Sequence, residues 1–403
     1  MRTIQVEELK ARPVDQQPLE IVERKGLGHP DSICDGVAEH IAVALSREYR
    51  QRVGTILHYN VDKGLLAAGA VEHRFGGGRV VEPMRLVIGD RATFAFDGVM
   101  IPVEEIAVDA ARDWFRRNLP RVDPDRHLRF SVELRPSSPE LSSIALHPRG
   151  PRPANDTSAL VGYAPLTQTE RLVLETERYL NSRAFKALFP DTGEDVKVMG
   201  FRIGDALTLT VAMPFLETMI DDEATYFRRK EQVEEALRAY LDAHEHARLR
   251  MNVALNTLDR PGHGLRGVYL SLLGTSAEDA DSGQVGRGNR VNGIISLQRP
   301  APAEAAAGKN PVSHVGKIYN LLSHRMAHRI VREVGGLQEV YVWLCSRIGA
   351  PIDQPQLAAA QVVLEPGITL DAVRRATEEI IVDELDNIEP FTEALVGGRY
   401  PVY

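Results

Sequence analysis

From Gly274 the chain reads GTSAEDADSGQVGRGNRVNG, and from Gly308 it reads GKNPVSHVGK to Lys317. No other stretch so restricts the fold. It holds three acids in four residues, Glu278, Asp279 and Asp281, and two arginines, Arg287 and Arg290. Glycines stand at 283, 286, 288 and 293. With almost no apolar side chains, the first half cannot be a core element, so the rest of the chain must build a frame that presents it. Clustered glycines allow positive φ and close backbone approach. Carboxylates suit a hard cation such as Mg²⁺, and guanidinium and ammonium groups suit phosphate oxygens. In isolation the segment fits a solvated charged loop as well as a metal–polyphosphate site.

A second constellation tips that balance. Residues 20–39 read EIVERKGLGHPDSICDGVAE. Pro30 fits the first turn of a helix, with Asp31 placed to accept N–H bonds as an N-cap. His29, Asp31 and Asp35 thus gather at a helix N-terminus, where the backbone favours anions. A histidine facing a phosphate and an aspartate holding its metal would use all three.

Composition removes other classes. A chain of 403 residues with 43% hydrophobic content suits two or three domains with sizeable cores. A formal net charge of −8 argues against nucleic-acid binding. Cys34 and Cys345 give neither a disulfide framework nor a zinc set. No apolar run reaches membrane-spanning length and no leader-like h-region opens the chain, so a soluble cytoplasmic protein is expected.

The remaining pattern is mixed α/β. Strands are expected over 53–70 (broken at Asp62 and Lys63), 85–89, 128–134, 268–274, 340–344 and 361–365. A hairpin is expected across 196–213, with Lys197 either an edge gatekeeper or a phosphate reader. Helices are expected over 102–118 and 370–385, and after the capping box of Thr167 and Glu170. Another, 221–248, would carry His244 and His246 on its surface. A helix opening at Asn310-Pro311 would have Lys309, His314 and Lys317 at its N-terminal end. Cations there oppose the macrodipole, so an anionic ligand is the better reason for them. Asp156 and Thr157 sit in a turn before the helix at 167. Three regions follow: 1–150 with the His29/Asp31 motif, 151–265, and 266–403 with the Asp/Gly/Arg loop, with the chain crossing between them.

These motifs, with NDTSALVGYAPLTQTERLVLETERYLNS (155–182), FGGG (75–78) and GEDVKVMG (193–200), resemble S-adenosylmethionine synthetases of the archaeal-type branch nearly end to end. The resemblance implies three similar mixed α/β domains about a pseudo-threefold axis. It further implies a homodimer, or a tetramer built from it, with active sites between subunits, and Mg²⁺ with K⁺ as cofactors. The implied reaction joins ATP and L-methionine and hydrolyses the expelled triphosphate. It needs no Ser–His or Cys–His nucleophile pair, and the sequence offers no obvious one. By resemblance His29, Lys197, Arg287 and Lys309 serve the triphosphate, and Asp31, Asp281 and Asp62 the metal. Asp156 with Thr157 would receive methionine; Arg290, His314, Lys317, Ser137 and Ser138 would line the substrates.

One departure stands out. Where the archaeal-type branch has Gly-Gln-Gly-Ser-Met-Asp, this chain has Arg135-Pro-Ser-Ser-Pro-Glu140. Two prolines fix φ and remove N–H donors, so the backbone there must differ. Two alternatives therefore accompany the synthetase reading. One is a relative with altered nucleotide or methionine-analogue specificity, or triphosphatase action alone. The other is a catalytically silent nucleotide-binding subunit.

Overall fold

The computed structural model describes residues 2–144, 150–243 and 249–403, the side chains at 143 and 144 aside. His244 and His246 lie outside the described residues. Strands and helices are numbered in chain order. Three larger sheets each carry helices on one side. The first runs β1 (Ile4–Glu8), β19 (Leu357–Leu364), β18 (Leu337–Cys345) and β10 (Ala159–Ala164); β1 is parallel to β19 and the other pairs are antiparallel. α7 (Val315–Glu333) and α8 (Leu370–Asp386) pack on it, and α9 (Ile388–Val396) follows α8.

The second sheet runs β14 (Arg250–Leu255), β12 (Ala206–Ala212), β11 (Lys197–Ile203), β2 (Leu19–Lys25) and β17 (Ile295–Ser296). Against it lie α4 (Gln168–Leu180) and α6 (Glu223–Asp242), with the short α5 (Arg183–Leu188) beside α4. The third runs β16 (Gly283–Gln284), β3 (Asn60–Ala67), β6 (Met84–Ala92) and β9 (Leu128–Pro136), covered by α1 (Pro30–Val53) and α2 (Val103–Asn118), with α3 (Pro139–Ile144) after β9. Three two-stranded pieces complete the set: β4 (Ala70–Glu72) with β5 (Arg79–Glu82), β7 (Ala95–Phe96) with β8 (Val99–Met100), and β13 (Phe215–Leu216) with β15 (Leu270–Ser271). One apolar core is shared by the first and third sheets, and a second belongs to the five-stranded sheet. No helix among the described residues is long and apolar enough to cross a membrane.

The mixed α/β expectation holds, and so does the capping box, in which Thr167 accepts from Glu170 N and Glu170 from Thr167 N. Four local expectations change. The stretch 268–274 pairs only over Leu270–Ser271, because the N–H groups of Leu272 and Leu273 turn to the Glu278 carboxylate at 2.8 and 2.5 Å. The strand-like pattern from 53 starts only at Asn60, because α1 runs on to Val53 and Gly54 closes it at φ 74°. The helix expected from Asn310 begins at Val315, with His314 as its cap. Lys197 is no edge gatekeeper, since β11 is hydrogen-bonded on both sides, to β12 and to β2.

Candidate active site

Lys197 and Lys25 stand directly opposite one another in the β11–β2 ladder. Like charges in that position repel. Glu23 lies 3.7 Å from Lys25 and 3.6 Å from Lys197, one carboxylate between two ammoniums. After Lys25 the chain turns sharply. Gly26 N and Gly28 N bond Val196 O and Glu194 O, and a Cβ on Gly28 would collide with the backbone at Glu194 and Asp195.

α1 then begins, capped by His29 and not by Asp31: the His29 Nδ1 accepts from Asp31 N at 3.1 Å. This frees the Asp31 carboxylate to take Lys25 Nζ at 2.9 Å and Gln284 N at 2.9 Å. One turn on, Asp35 accepts from Gly286 N at 2.8 Å. A further turn on, Glu39 accepts from Gly308 N at 3.2 Å and from Lys317 Nζ at 2.6 Å. Residues at i, i+4 and i+8 share one helix face. This acidic stripe is the template on which both halves of the glycine-rich segment are laid. The glycines follow from it: a Cβ on Gly283 would strike Pro30 O, and one on Gly288 would strike Asp35 Oδ2.

Burial sets the protonation of this group. It pushes Asp35 up to about 7. It also holds His29 down at about 4, against Asp31 and helped by Lys25 and Lys197. His29 is therefore neutral at pH 7, and because Nδ1 accepts, its proton sits on Nε2.

Asp281 is exposed; its Oδ1 accepts from Ser282 N at 2.9 Å. The turn before it is held by Asp195, which accepts Ser276 N at 2.8 Å and Ser276 Oγ at 2.5 Å. Burial raises Asp195 to about 6. Arg287 is exposed and its guanidinium has no partner among the described residues, while its carbonyl receives Lys25 Nζ at 2.7 Å. Arg290 donates to Gly286 O at 3.4 Å and leaves its Nε buried without a partner.

A second group surrounds the start of α7. Lys309, only 2% exposed, bonds Asp62 and lies 3.1 Å from Glu304. The other Asp62 oxygen takes Lys63. Burial opposes the Asp62 charge, yet Lys309 and Lys63 outweigh it and bring the carboxyl down to about 2. Both Asp62 oxygens thus hold ammoniums here. Lys317 is lowered by burial in spite of Glu39, and His314 falls well below its usual value through burial and then Lys309. Asn155 N bonds Ser313 O at 3.1 Å, which ties the Asp156 turn to this group. Within that turn Asp156 accepts Thr157 N at 2.7 Å and Thr157 Oγ1 accepts Ile348 N at 2.9 Å.

The segment with two prolines lies beside the same group. Ser137 Oγ and His58 Nδ1 are 2.7 Å apart, and the field of His58 reaches His314. This is a Ser–His pair that the sequence did not reveal. No carboxylate bonds the other nitrogen of His58 among the described residues, so the orienting third member of a hydrolytic triad is missing. The pair tethers the segment. Ser138 is occupied locally, its Oγ accepting Leu141 N at 3.3 Å in α3.

The expected site residues therefore form two groups joined along α1. The sequence reading passed over Glu23, Lys25, Glu39 and Asp195. The spacing of Asp31, Asp35 and Glu39 was the available signal for Glu39. The carboxylates of Asp31 and Asp281 are the hard-oxygen donors a Mg²⁺ ion prefers, and Lys25 on Asp31 Oδ2 marks a point where positive charge is already favoured. A third cluster, His73 with Glu278 and Asp279, places its ligand atoms within 4.8 Å of each other. There His73 sits 2.6 Å from Asp279 and 3.1 Å from Glu217, and those bonds raise it to about 10. An imidazolium salt bridge accounts for it.

Comparison with known proteins identifies the family. A family model described as S-adenosylmethionine synthetase matches residues 2–399. The S-adenosylmethionine synthase of Thermococcus onnurineus is 45% identical, over 100% of this chain and 99% of its own. That of Pyrococcus furiosus is 43% identical over 100% of both chains. Among solved structures, an unusual S-adenosylmethionine synthetase from Campylobacter jejuni aligns over 92% of this chain and 89% of its own, with TM-score 0.60 and 15% identity, a likeness of fold. By this whole-length similarity, the chain belongs to the S-adenosylmethionine synthetase family.

Proposed function

We propose that the protein is a methionine adenosyltransferase, making S-adenosylmethionine, phosphate and pyrophosphate from ATP, L-methionine and water. The observation that carries this reading is the laying of the glycine-rich loop on Asp31, Asp35 and Glu39, with cations gathered around both ends of the stripe. The methionine sulfur donates a lone pair to C5′ of ATP. The C5′–O bond breaks and its electron pair leaves on the triphosphate. A thioether gives up no proton, so no general base is needed; the demand is for in-line positioning and fixed positive charge.

In this scheme Lys197, Arg287 and Lys309 meet the triphosphate oxygens, with Arg290 and Lys317 behind them. Neutral His29 offers its Nε2–H to the departing side. His314 caps α7 and Asp62 steadies Lys309 and Lys63. Asp156 and Thr157 take the methionine ammonium, and Ser137 and Ser138 border the nucleotide. Asp31 and Asp281 would hold Mg²⁺, which would supply charge neutralisation to the phosphates, with K⁺ as the monovalent ion. A homodimer with shared sites suits the open face of the five-stranded sheet, which exposes Phe201 (41%) and Ile203 (58%) on the strand that carries Lys197. The three sheet-and-helix units would be its discontinuous domains.

The test is chromatography of a reaction with ATP, methionine and Mg²⁺. A sulfonium product that depends on a divalent cation supports the proposal. Full activity after metal removal, or phosphate release with no sulfonium, defeats it.

A further inference from the structure

A cleft of about 500 Å³ opens between β5, the α2–β9 connection and Leu272–Leu273. Arg79, Arg121, Arg126 and Arg129 line it together with His127, and no acidic residue does among the described residues. Its other walls include Val80, Pro83 and Leu273. The chain as a whole is acidic, with a net charge of −8, so this concentration runs against its own composition.

Arg79 is matched by Glu72 at 2.6 Å. The other three make no close ion pair with a carboxylate among the described residues, although Arg121 lies near enough to Glu194 for its charge to be felt there. Arg121 reaches Met219 Sδ at 3.8 Å, and Arg129 donates to Leu128 O at 3.0 Å. The nearby Asp125 is engaged by Arg112 at 3.1 Å and Arg116 at 2.7 Å. His127 Nδ1 accepts Asp123 N at 3.1 Å, which leaves the ring's proton on Nε2 when neutral. Burial, and then Arg126, keep it low in pKa.

Like charges gathered with few paired carboxylates repel, and apolar walls focus the field they make. Guanidinium forks match phosphate oxygens in pairs. A volume of about 500 Å³ suits a small extended ligand, more than one tetrahedral ion. We propose that this cleft is a polyanion site outside the catalytic centre, taking a linear inorganic polyphosphate of the triphosphate or pyrophosphate class. The choice of that class rests on the proposed reaction, which releases such ions; the site itself rests on the cleft.

Its position ties it to the catalytic loop. Leu272 and Leu273 donate to Glu278, Thr218 follows the Glu217 that bonds His73, and His73 holds Asp279, two residues from Asp281. An anion bound there would bear on both segments that fix this turn.

The probe is tripolyphosphate, titrated calorimetrically into the whole protein at about 0.15 M salt, where screening suppresses loose surface attraction. Two classes of site per chain are expected for wild type. Arg121→Glu/Arg126→Glu should lose one class by at least tenfold while turnover number stays within twofold. Lys309→Met should weaken the other. Arg121→Gln/Arg126→Gln is the milder pair should charge reversal disturb folding. One class only in wild type, or identical binding in wild type and the arginine variants, overturns the proposal. Failure to make sulfonium product would sink the proposed function without touching this binding result.

Discussion

Two regions of the molecule bury charge, and they do so to opposite ends. In the first, Arg202 and Arg299 lie almost wholly inside. Arg202 donates to Glu20 at 2.9 and 3.1 Å, to Thr169 at 3.1 Å, and to the carbonyls of Val14, Gln17 and Gly204. Arg299 meets Glu170 at 3.0 and 3.1 Å, Tyr341 at 2.8 Å, Pro165 O at 3.0 Å and Glu339 at 3.2 Å. Burial opposes the Arg299 charge, but Glu170 and Glu339 outweigh it and fix the guanidinium as a cation. Every donor is used. In the second region, around α7's start, burial and pairing pull different ways: Lys317 is lowered beside Glu39 and His314 falls well below its usual value, while Lys309 and Lys63 hold Asp62 down. The first network is closed and fixes the junction of β2, α4 and β18. The second pairs Lys309 with Asp62 and Lys317 with Glu39 while burial works against Lys317 and His314, the kind of perturbation that gathers at functional sites.

The largest effect tests the closed network. Arg299→Met should cost about 3–5 kcal/mol of stability by stranding Glu170 and Glu339, while folded molecules keep their turnover number. Thermal unfolding with parallel kinetics reads it; lost turnover at unchanged stability would erase the contrast. Next, Lys309→Met and Arg287→Leu should slow sulfonium formation about 100- to 1,000-fold with the fold intact, the scale for removing a charge-stabilising donor. Wild-type rates in either variant would return these cations to a structural role.

Asp195 belongs to neither region and sharpens the line between them. Its folded value of about 6 lies above the ordinary 3.8, so the folded state holds its proton longer than the unfolded state. Its stabilising contribution is present below pH 3.8 and is lost as pH rises to about 6. Asp195→Asn should therefore gain stability over wild type across that window, up to about 3 kcal/mol, and then level off. A difference independent of pH would show that the carboxyl titrates normally. The smallest effect concerns Arg135–Glu140. Grafting Gly-Gln-Gly-Ser-Met-Asp removes the Ser137–His58 bond and should shift the Michaelis constant for ATP only several-fold, as for about 0.5–1.5 kcal/mol, leaving that for methionine alone. Equal ATP constants would separate the segment from the nucleotide.

Much of the site could be read before folding because its residues are close in sequence. His29, Asp31 and Asp35 announce a helix start, and 283–293 announce a loop that must approach something. The wrong turns came from groups whose partners are distant. Asp31 looked like a cap until His29 took that role. Lys197 looked like an edge residue until β2, 172 positions earlier by its Lys25 partner, closed the other side of β11. Lys309 and Lys317 looked unbalanced at a helix start, yet Asp62 and Glu39 come from β3 and α1 to meet them.

By itself the sequence determined the mixed α/β class, the Thr167/Glu170 capping box, the glycine-rich loop and the kind of chemistry its charges suit, because these depend on spacing within a few residues. Only the tertiary structure decided which carboxylate faces which cation, and which cations remain unmatched. Charge pairing depends on distance and burial in three dimensions, and burial is the largest cause that raises Asp35 and Asp195 and lowers His29, which no local pattern encodes.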